Sequence, residues 1–183
     1  TQFTDAFDAG VSGDDAPPPA WADWLGTRHP LPALQQGQAH AWSDAIACTS
    51  EPPALAVGPQ DLALLPYTSG TTGLPKGCMH PHKSIMHNAV ASALWGAGSA
   101  DNVTLAVVPM FHITGMVSVM HASIYSAATI VIMPRWDRDL AGRLISRWQV
   151  TNWTNIPTMV IDLLASPHFA SYDLSSLVYI GGG

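Results

Sequence analysis

The residues best suited to chemistry lie together in Tyr67-Thr68-Ser69-Gly70-Thr71-Thr72-Gly73-Leu74-Pro75-Lys76-Gly77. Four Ser and Thr hydroxyls, three glycines and one lysine fall within these eleven residues. Glycine lets a backbone approach a bulky anion and adopt positive φ, and successive N–H groups can then form an anion-binding concavity. Hydroxyls donate to phosphate oxygens, and the Lys76 ammonium supplies a point charge. The composition is that of a polyphosphate-binding loop. The spacing is not that of a P-loop, which needs Gly, Lys and then Ser or Thr from the fifth position after its first glycine. Counted from Gly70, those positions hold Pro75, Lys76 and Gly77. Proline has no N–H to donate, and glycine has no hydroxyl for a metal. A plain solvated Ser/Thr/Gly surface loop is the bland alternative, and it leaves the lysine unexplained.

Other candidates are weaker signals. His112 sits in an apolar stretch, where a lone histidine is more often a satisfied core residue than a site residue. His80, His82 and His87 cluster, but no Cys or carboxylate completes a metal set. Met110, Met116, Met120, Met133 and Met159 read as core filler. Gly181, Gly182 and Gly183 follow an apolar run, either as a turn or where a ligand must approach the backbone closely.

The elements that must position these residues begin near Asp61. Leu62–Tyr67 reads as a strand leading into the loop, followed by a helix over Lys83–Trp95. Val103–Val108 is a strand, His112–Ser126 a mostly apolar helix and Thr129–Met133 a further strand. Asp137 can cap the next helix, in which Leu140, Leu144 and Trp148 share a face and Asp139 precedes Arg143 by one turn. Asn152–Ile156 is a short strand, and Pro157 suits the first turn of a helix ending near Ser166. Leu177–Ile180 is the last strand. The strands are continuous apolar runs, as expected for a parallel sheet buried on both faces. Five alternations of strand and helix predict an α/β fold, an open, mostly parallel sheet with flanking helices. Ligands of such sheets sit outside the carboxyl ends of the strands, where the Gly/Thr loop and the final glycines are both expected.

Composition bounds the partners. Only 11% of residues are charged and 48% are hydrophobic, which suggests faces covered by something larger. The net charge is −6 and the only lysines are Lys76 and Lys83, which excludes a basic nucleic-acid footprint. Two cysteines, Cys48 and Cys78, make no disulfide scaffold, and the acidic start lacks the pattern of a signal peptide. No apolar run reaches the roughly 18–20 residues of a membrane span. These features predict a cytoplasmic protein, and the shortage of charge predicts a homodimer or larger species. Nine of the 15 prolines fall between Pro17 and Pro66, and residues 1–60 form an irregular stretch with Trp21, Trp24 and Trp42, expected to pack on the body formed by 61–183.

The stretch Tyr67–Gly77 resembles the phosphate loop of the adenylate-forming (AMP-binding) superfamily, which includes acyl-CoA synthetases, luciferases and peptide-synthetase adenylation domains. His82-Lys83, Pro109-Met110-Phe111-His112-Ile113-Thr114-Gly115 and Tyr179-Ile180-Gly181-Gly182-Gly183 resemble segments of the fatty acyl-CoA ligase branch most closely. The resemblance spans about Asp61–Gly183 and implies part of the large N-terminal domain of such an enzyme. In that family ATP and a carboxylic acid give an acyl-adenylate and pyrophosphate, and coenzyme A then displaces AMP. Carried over, Thr68, Ser69, Gly70, Thr71, Thr72, Gly73 and Lys76 would bind the ATP phosphates, and Thr68 would reach Mg2+. Lys76 and His112 would be the catalytic residues here. Phe111 and His112 would lie beside the carboxylate, Gly115 would line the acyl pocket, and Gly181, Gly182 and Gly183 would meet the nucleotide base. The family's Tyr-Gly-x-Thr-Glu segment and its C-terminal lysine fall outside this sequence, so the fragment alone is expected to be inactive. The alternatives are an adenylation domain for another acid or an amino acid, and a non-catalytic nucleotide- or phosphate-binding module.

Overall fold

The computed structural model describes residues 18–21, 46–47, 49, 51, 54–68 and 73–182. The chain divides into two compact units, Thr1–Val57 and Gly58–Gly183. In the first, the Trp21 N–H donates to the Pro18 carbonyl at 2.8 Å, while Trp24 and Trp42 lie outside the described residues. The rest of the fold concerns the second unit.

It opens with four short strands, β1 (Leu62–Leu64), β2 (Tyr67–Thr68), β3 (Lys76–Gly77) and β4 (His80–Pro81). β1 pairs antiparallel with β4, and β2 pairs antiparallel with β3. The single strand expected over Leu62–Tyr67 is therefore broken, and it does not enter the parallel sheet. Pro66 explains the break: it has no N–H for a ladder, though its carbonyl still accepts the Cys78 N–H at 2.8 Å. Leu62 and Leu65 are also exposed, so nothing buries this run on two faces. The Gly/Thr loop consequently crowns an antiparallel hairpin, not a parallel strand's carboxyl end.

Helix α1 (His82–Trp95) follows directly. Pro81, its cap residue, offers no side-chain acceptor. Backbone carbonyls serve instead: Asp61 accepts from the His82 N–H at 3.0 Å and Pro59 from the Lys83 N–H at 2.9 Å. The Asp61 carboxylate holds that turn by accepting the Gly58 N–H at 2.7 Å. Ile85, Ala89 and Ala93 recur every fourth residue and are buried. Ile85 and Ala89 form a cluster with Val117, edged by Leu64 and Met116.

Four parallel strands form the main sheet: β5 (Val103–Ala106), β6 (Thr129–Ile132), β7 (Asn152–Thr154) and β8 (Tyr179–Gly181), in the order β6-β5-β7-β8. Between β5 and β6 the chain forms a π-helix, Thr114–His121, and then a single α-helical turn, α2 (Ala122–Tyr125). An α-helix was expected throughout. Over eight residues an apolar stripe does not distinguish i→i+4 from i→i+5 bonding, and π segments concentrate at functional sites. Helix α3 (Arg138–Trp148) begins as expected, with the Asp137 carboxylate accepting the Leu140 N–H at 2.8 Å. Leu140 and Leu144 are buried, whereas Trp148 is 46% exposed and leaves the expected shared face. Helix α4 (Pro157–Leu164) has proline in its first turn and packs on α3. Of the five expected core methionines only Met133 is fully buried.

Asp139 turns from Arg143 to a different pair of partners. Its carboxylate accepts the Ser166 hydroxyl at 2.5 Å and the Tyr172 hydroxyl at 2.8 Å. The Ser166 bond first, and then the Tyr172 bond, hold its carboxyl below the usual carboxylate range. A depressed folded pKa means the stabilisation is complete above the ordinary carboxylate pKa of 3.8 and is lost as pH falls through the folded value. Asp139→Asn is therefore expected to lower stability at pH 7, and the difference from wild type should shrink below about pH 4. Denaturant titrations at pH 7 and pH 3 check this; an equal gap at both would refute the linkage.

Candidate functional site

The residues of the Gly/Thr loop stand as follows. Thr68 lies opposite Lys76 in the β2–β3 register, one step above Tyr67 and Gly77. Directly opposed side chains of an antiparallel pair project to the same side, about 5 Å apart at Cβ. A hydroxyl and an ammonium thus stand together at the feet of one glycine-rich loop. Both residues are exposed. Gly73 sits in that loop at φ +152°, with open space where a side chain would begin. Only glycine occupies that backbone region comfortably. Ser69, Gly70, Thr71, Thr72 and Gly183 lie outside the described residues.

Phe111 and His112 occupy the turn between β5 and the π-helix. The turn is closed by the His112 N–H donating to the Pro109 carbonyl at 3.0 Å. Phe111 is 87% exposed, with its ring in solvent. The His112 Nδ1 accepts the Thr114 N–H at 3.2 Å. A neutral imidazole that accepts at Nδ1 carries its proton at Nε2, which leaves that nitrogen as the ring's donor. Gly115 is buried beneath this turn, and a Cβ there would collide with the carbonyl oxygens of Val108 and Pro109. Its evident task is to let the π-helix press onto the preceding loop.

Gly181 and Gly182 open onto a cleft of about 460 Å³. The cleft lies over one face of the sheet, between α1 and the π-helix with α2, and Thr114 and Ser118 line it from the helical side. Its floor holds Asn102, Thr104, Asn152 and Thr154. That face departs from the apolar one expected of a doubly buried parallel sheet. The opposite face keeps the expectation, with Leu105 at 0% and Trp153 at 1% exposure, and Trp136 stacked on Trp153 at 5.8 Å. No hairpin residue is among those lining the cleft. The structure therefore groups Thr68 with Lys76, and Thr114 with Gly181 and Gly182, with His112 beside Thr114.

Sequence reasoning missed the polar floor. The available signal was a repeat of Asn-x-Thr in two strands, Asn102-Val103-Thr104 and Asn152-Trp153-Thr154. Alternation places the first and third residues of each on one face. The register puts Thr104 opposite Asn152, and the Asn102 side-chain amide donates to the Asn152 side-chain Oδ1 at 2.8 Å.

A hydroxyl–lysine hairpin, a histidine turn and a sheet-face cleft ending in glycines occur here in one chain. The sequence matches the AMP-binding enzyme family over residues 11–183. The chain belongs to that family. It is 39% identical over 132 residues to 4-coumarate--CoA ligase 1 of Arabidopsis thaliana, a match covering 69% of this chain and 23% of that protein. The inhibitor-bound N-terminal domain of FACL13 from Mycobacterium tuberculosis superposes with a TM-score of 0.68 at 29% identity, over 77% of this chain and 35% of that one. ATP-bound MatB from Rhodopseudomonas palustris gives a TM-score of 0.69 at 26% identity, over 77% and 28%. The chain thus spans about a quarter of the length of the curated relative. The fold is the α/β, mostly parallel sheet of the N-terminal domain of acyl-CoA synthetase-like AMP-binding enzymes. Among the described residues no helix is long and apolar enough to cross a membrane.

Proposed function

We propose that this chain supplies the phosphate hairpin and the acid cleft of an ATP-dependent, AMP-forming acid–CoA ligase. The acid's carboxylate oxygen attacks the α-phosphorus of ATP, the α–β anhydride bond breaks, and pyrophosphate leaves. The thiol of coenzyme A then attacks the acyl carbonyl and AMP departs. The observation that carries this reading is the register of Thr68 against Lys76, which plants a donor and a cation at both feet of the loop. Thr68, Gly73 and Lys76, with Ser69, Gly70, Thr71 and Thr72, would hold the β- and γ-phosphates. The His112 Nε2–H would donate to the carboxylate, with Phe111 beside it. Gly181, Gly182 and Gly183 would face the nucleotide at the sheet edge. Gly115 serves this arrangement through packing more than as a pocket wall.

Magnesium fits less well as a protein-held ion. No group of three or more His, Cys, Asp or Glu among the described residues could hold one. Thr68 could add one hydroxyl to an ion that enters with the phosphates, and such ions keep most of their water.

The fatty acid expected from the loop and turn motifs gives way here to a more compact, aromatic acid. Support comes from the relative whose name specifies 4-coumarate and from the polar lining of the cleft. The test is acid-dependent ATP–pyrophosphate exchange by a full-length enzyme that includes this chain, across a panel of aromatic, alkyl and amino acids. Exchange driven by at least one carboxylic acid is expected. Nucleotide binding with no exchange for any acid would favour a non-catalytic module and sink the proposal.

A further inference from the structure

The helical wall of the cleft is wound in an unusual way. From Thr114 to His121, over eight residues, the chain is a π-helix. Its two ends bond as an α-helix does: the Met116 N–H donates to the His112 carbonyl at 2.9 Å, and the Ser126 N–H to the Ala122 carbonyl at 3.0 Å. Between them the Ala122 N–H is shared by the Val119 and Val117 carbonyls, the second of them five residues back. The segment thus holds more residues than α bonding between the same ends would take. Such winding is rare, and here it carries a second cost. His121, its last residue, keeps a buried Nδ1 with no hydrogen-bond partner. A buried polar atom without a partner is costly and calls for an explanation.

The cleft supplies one. In an α-helix His121, about two turns beyond Thr114, would share its face, and Ser123, about two and a half turns beyond, would point the other way. Under π bonding residues four and five apart stack instead. Thr114, Ser118 and Ser123 are spaced by four and then five residues, and all three line the cleft, whereas His121 is not among the lining residues. The winding therefore keeps two serines and a threonine in the wall and an imidazole out of it. None of the described residues lining the cleft is Asp, Glu, Lys, Arg or His. With both ends of the segment held, side chains in its middle turn most between π and α winding, and Ser118 is the wall residue among them. We infer that the π winding of Thr114–His121 is the specificity-determining feature of the acid cleft, with His121 as the residue whose inclusion forces it. The inference rests on the ligase reading above and names what sets the choice of acid at that site.

Deletion of His121 from a full-length enzyme that includes this chain lets the segment close with α bonds between the same ends. Pyrophosphate exchange is then measured with benzoate, cinnamate, 4-coumarate and octanoate. The ratio of kcat/KM between at least two of these acids should move by about tenfold, the low end of what one changed pocket contact gives. KM for ATP should hold, because the hairpin of Thr68 and Lys76 does not line the cleft. His121→Leu is the second variant: it keeps the residue count, and so the winding, and removes only the imidazole. It should leave every ratio at its wild-type value and raise Tm. Ratios unmoved by the deletion, a uniform loss across all four acids, or ratios moved as far by His121→Leu would overturn the inference and leave the ligase reading intact. A deletion protein that does not fold overturns it too, since the winding would then belong to the fold and not to acid choice. A wild-type enzyme that exchanges with no acid in the wider panel removes the ligase reading itself and this inference with it.

Discussion

Lys76→Ala, made in a full-length enzyme that includes this chain, is expected to slow adenylate formation by about 10- to 100-fold, because a hydrogen bond to a charged group contributes roughly 1.5–3 kcal/mol. Lys76 stands across from Thr68 at the mouth of the loop. From there its ammonium reaches a group bound by the loop but not one deep in the sheet-face cleft, whose lining excludes the hairpin. Charge on the pyrophosphate grows as the α–β bond breaks, and a cation fixed beside it stabilises that change. Pyrophosphate has already left when the thiol attacks, so the second half-reaction, started from preformed acyl-adenylate, should be nearly unaffected. Lys76→Arg keeps the charge on a larger, planar head and should recover part of the rate. Measuring the two half-reactions separately decides the matter. A matching fall in both would mean that Lys76 supports the fold or the acyl group, not the departing phosphates.

Much of this was legible from residue types. The loop suggests its chemistry by composition, because glycine, hydroxyl and lysine have few other reasons to share eleven residues. Asp137 and Pro157 marked helix starts correctly, since capping and the missing proline N–H are local effects. The failures were non-local. Leu62–Tyr67 has the composition of a buried strand, but Pro66 and its pairing partners, Lys76–Gly77 and His80–Pro81, put it in small antiparallel ladders. The apolar run after His112 fixed which side is buried and not how wide each turn is, so the π-helix was invisible. The polar cleft floor was hidden because strands of three or four residues give alternation too few positions to show. Asn152, Thr154 and Thr104 become a pattern only when β5 and β7 are laid side by side.

The largest structural effect is expected at the last strand, where two adjacent glycines should behave differently. A Cβ on Gly182 would fall on the carbonyl oxygen of Asn155, a backbone atom. Asn155 cannot yield easily. It is 6% exposed, its N–H donates to the Gly181 carbonyl at 2.8 Å, and its side-chain amide donates to the Trp153 carbonyl at 3.2 Å. Moving it would part β7 from β8, the pair that carries the glycines into the cleft. A Cβ on Gly181 meets instead the ring and hydroxyl of Tyr179, a side chain that can swing aside. Neither glycine has a positive φ, so the contrast is one of space and not of backbone strain. Forcing atoms into a packed site costs about 1–3 kcal/mol, and collision with backbone belongs at the upper end. For a domain of this size, 3 kcal/mol corresponds to a fall in Tm of about 6–12 °C. Gly182→Ala should therefore lower Tm by that amount, and Gly181→Ala by only a few degrees. Thermal unfolding of the two variants beside wild type, followed by tryptophan fluorescence, tests the difference. A Gly182→Ala protein as stable as Gly181→Ala would show that β7 and β8 are not held as closely at this point as the structure places them.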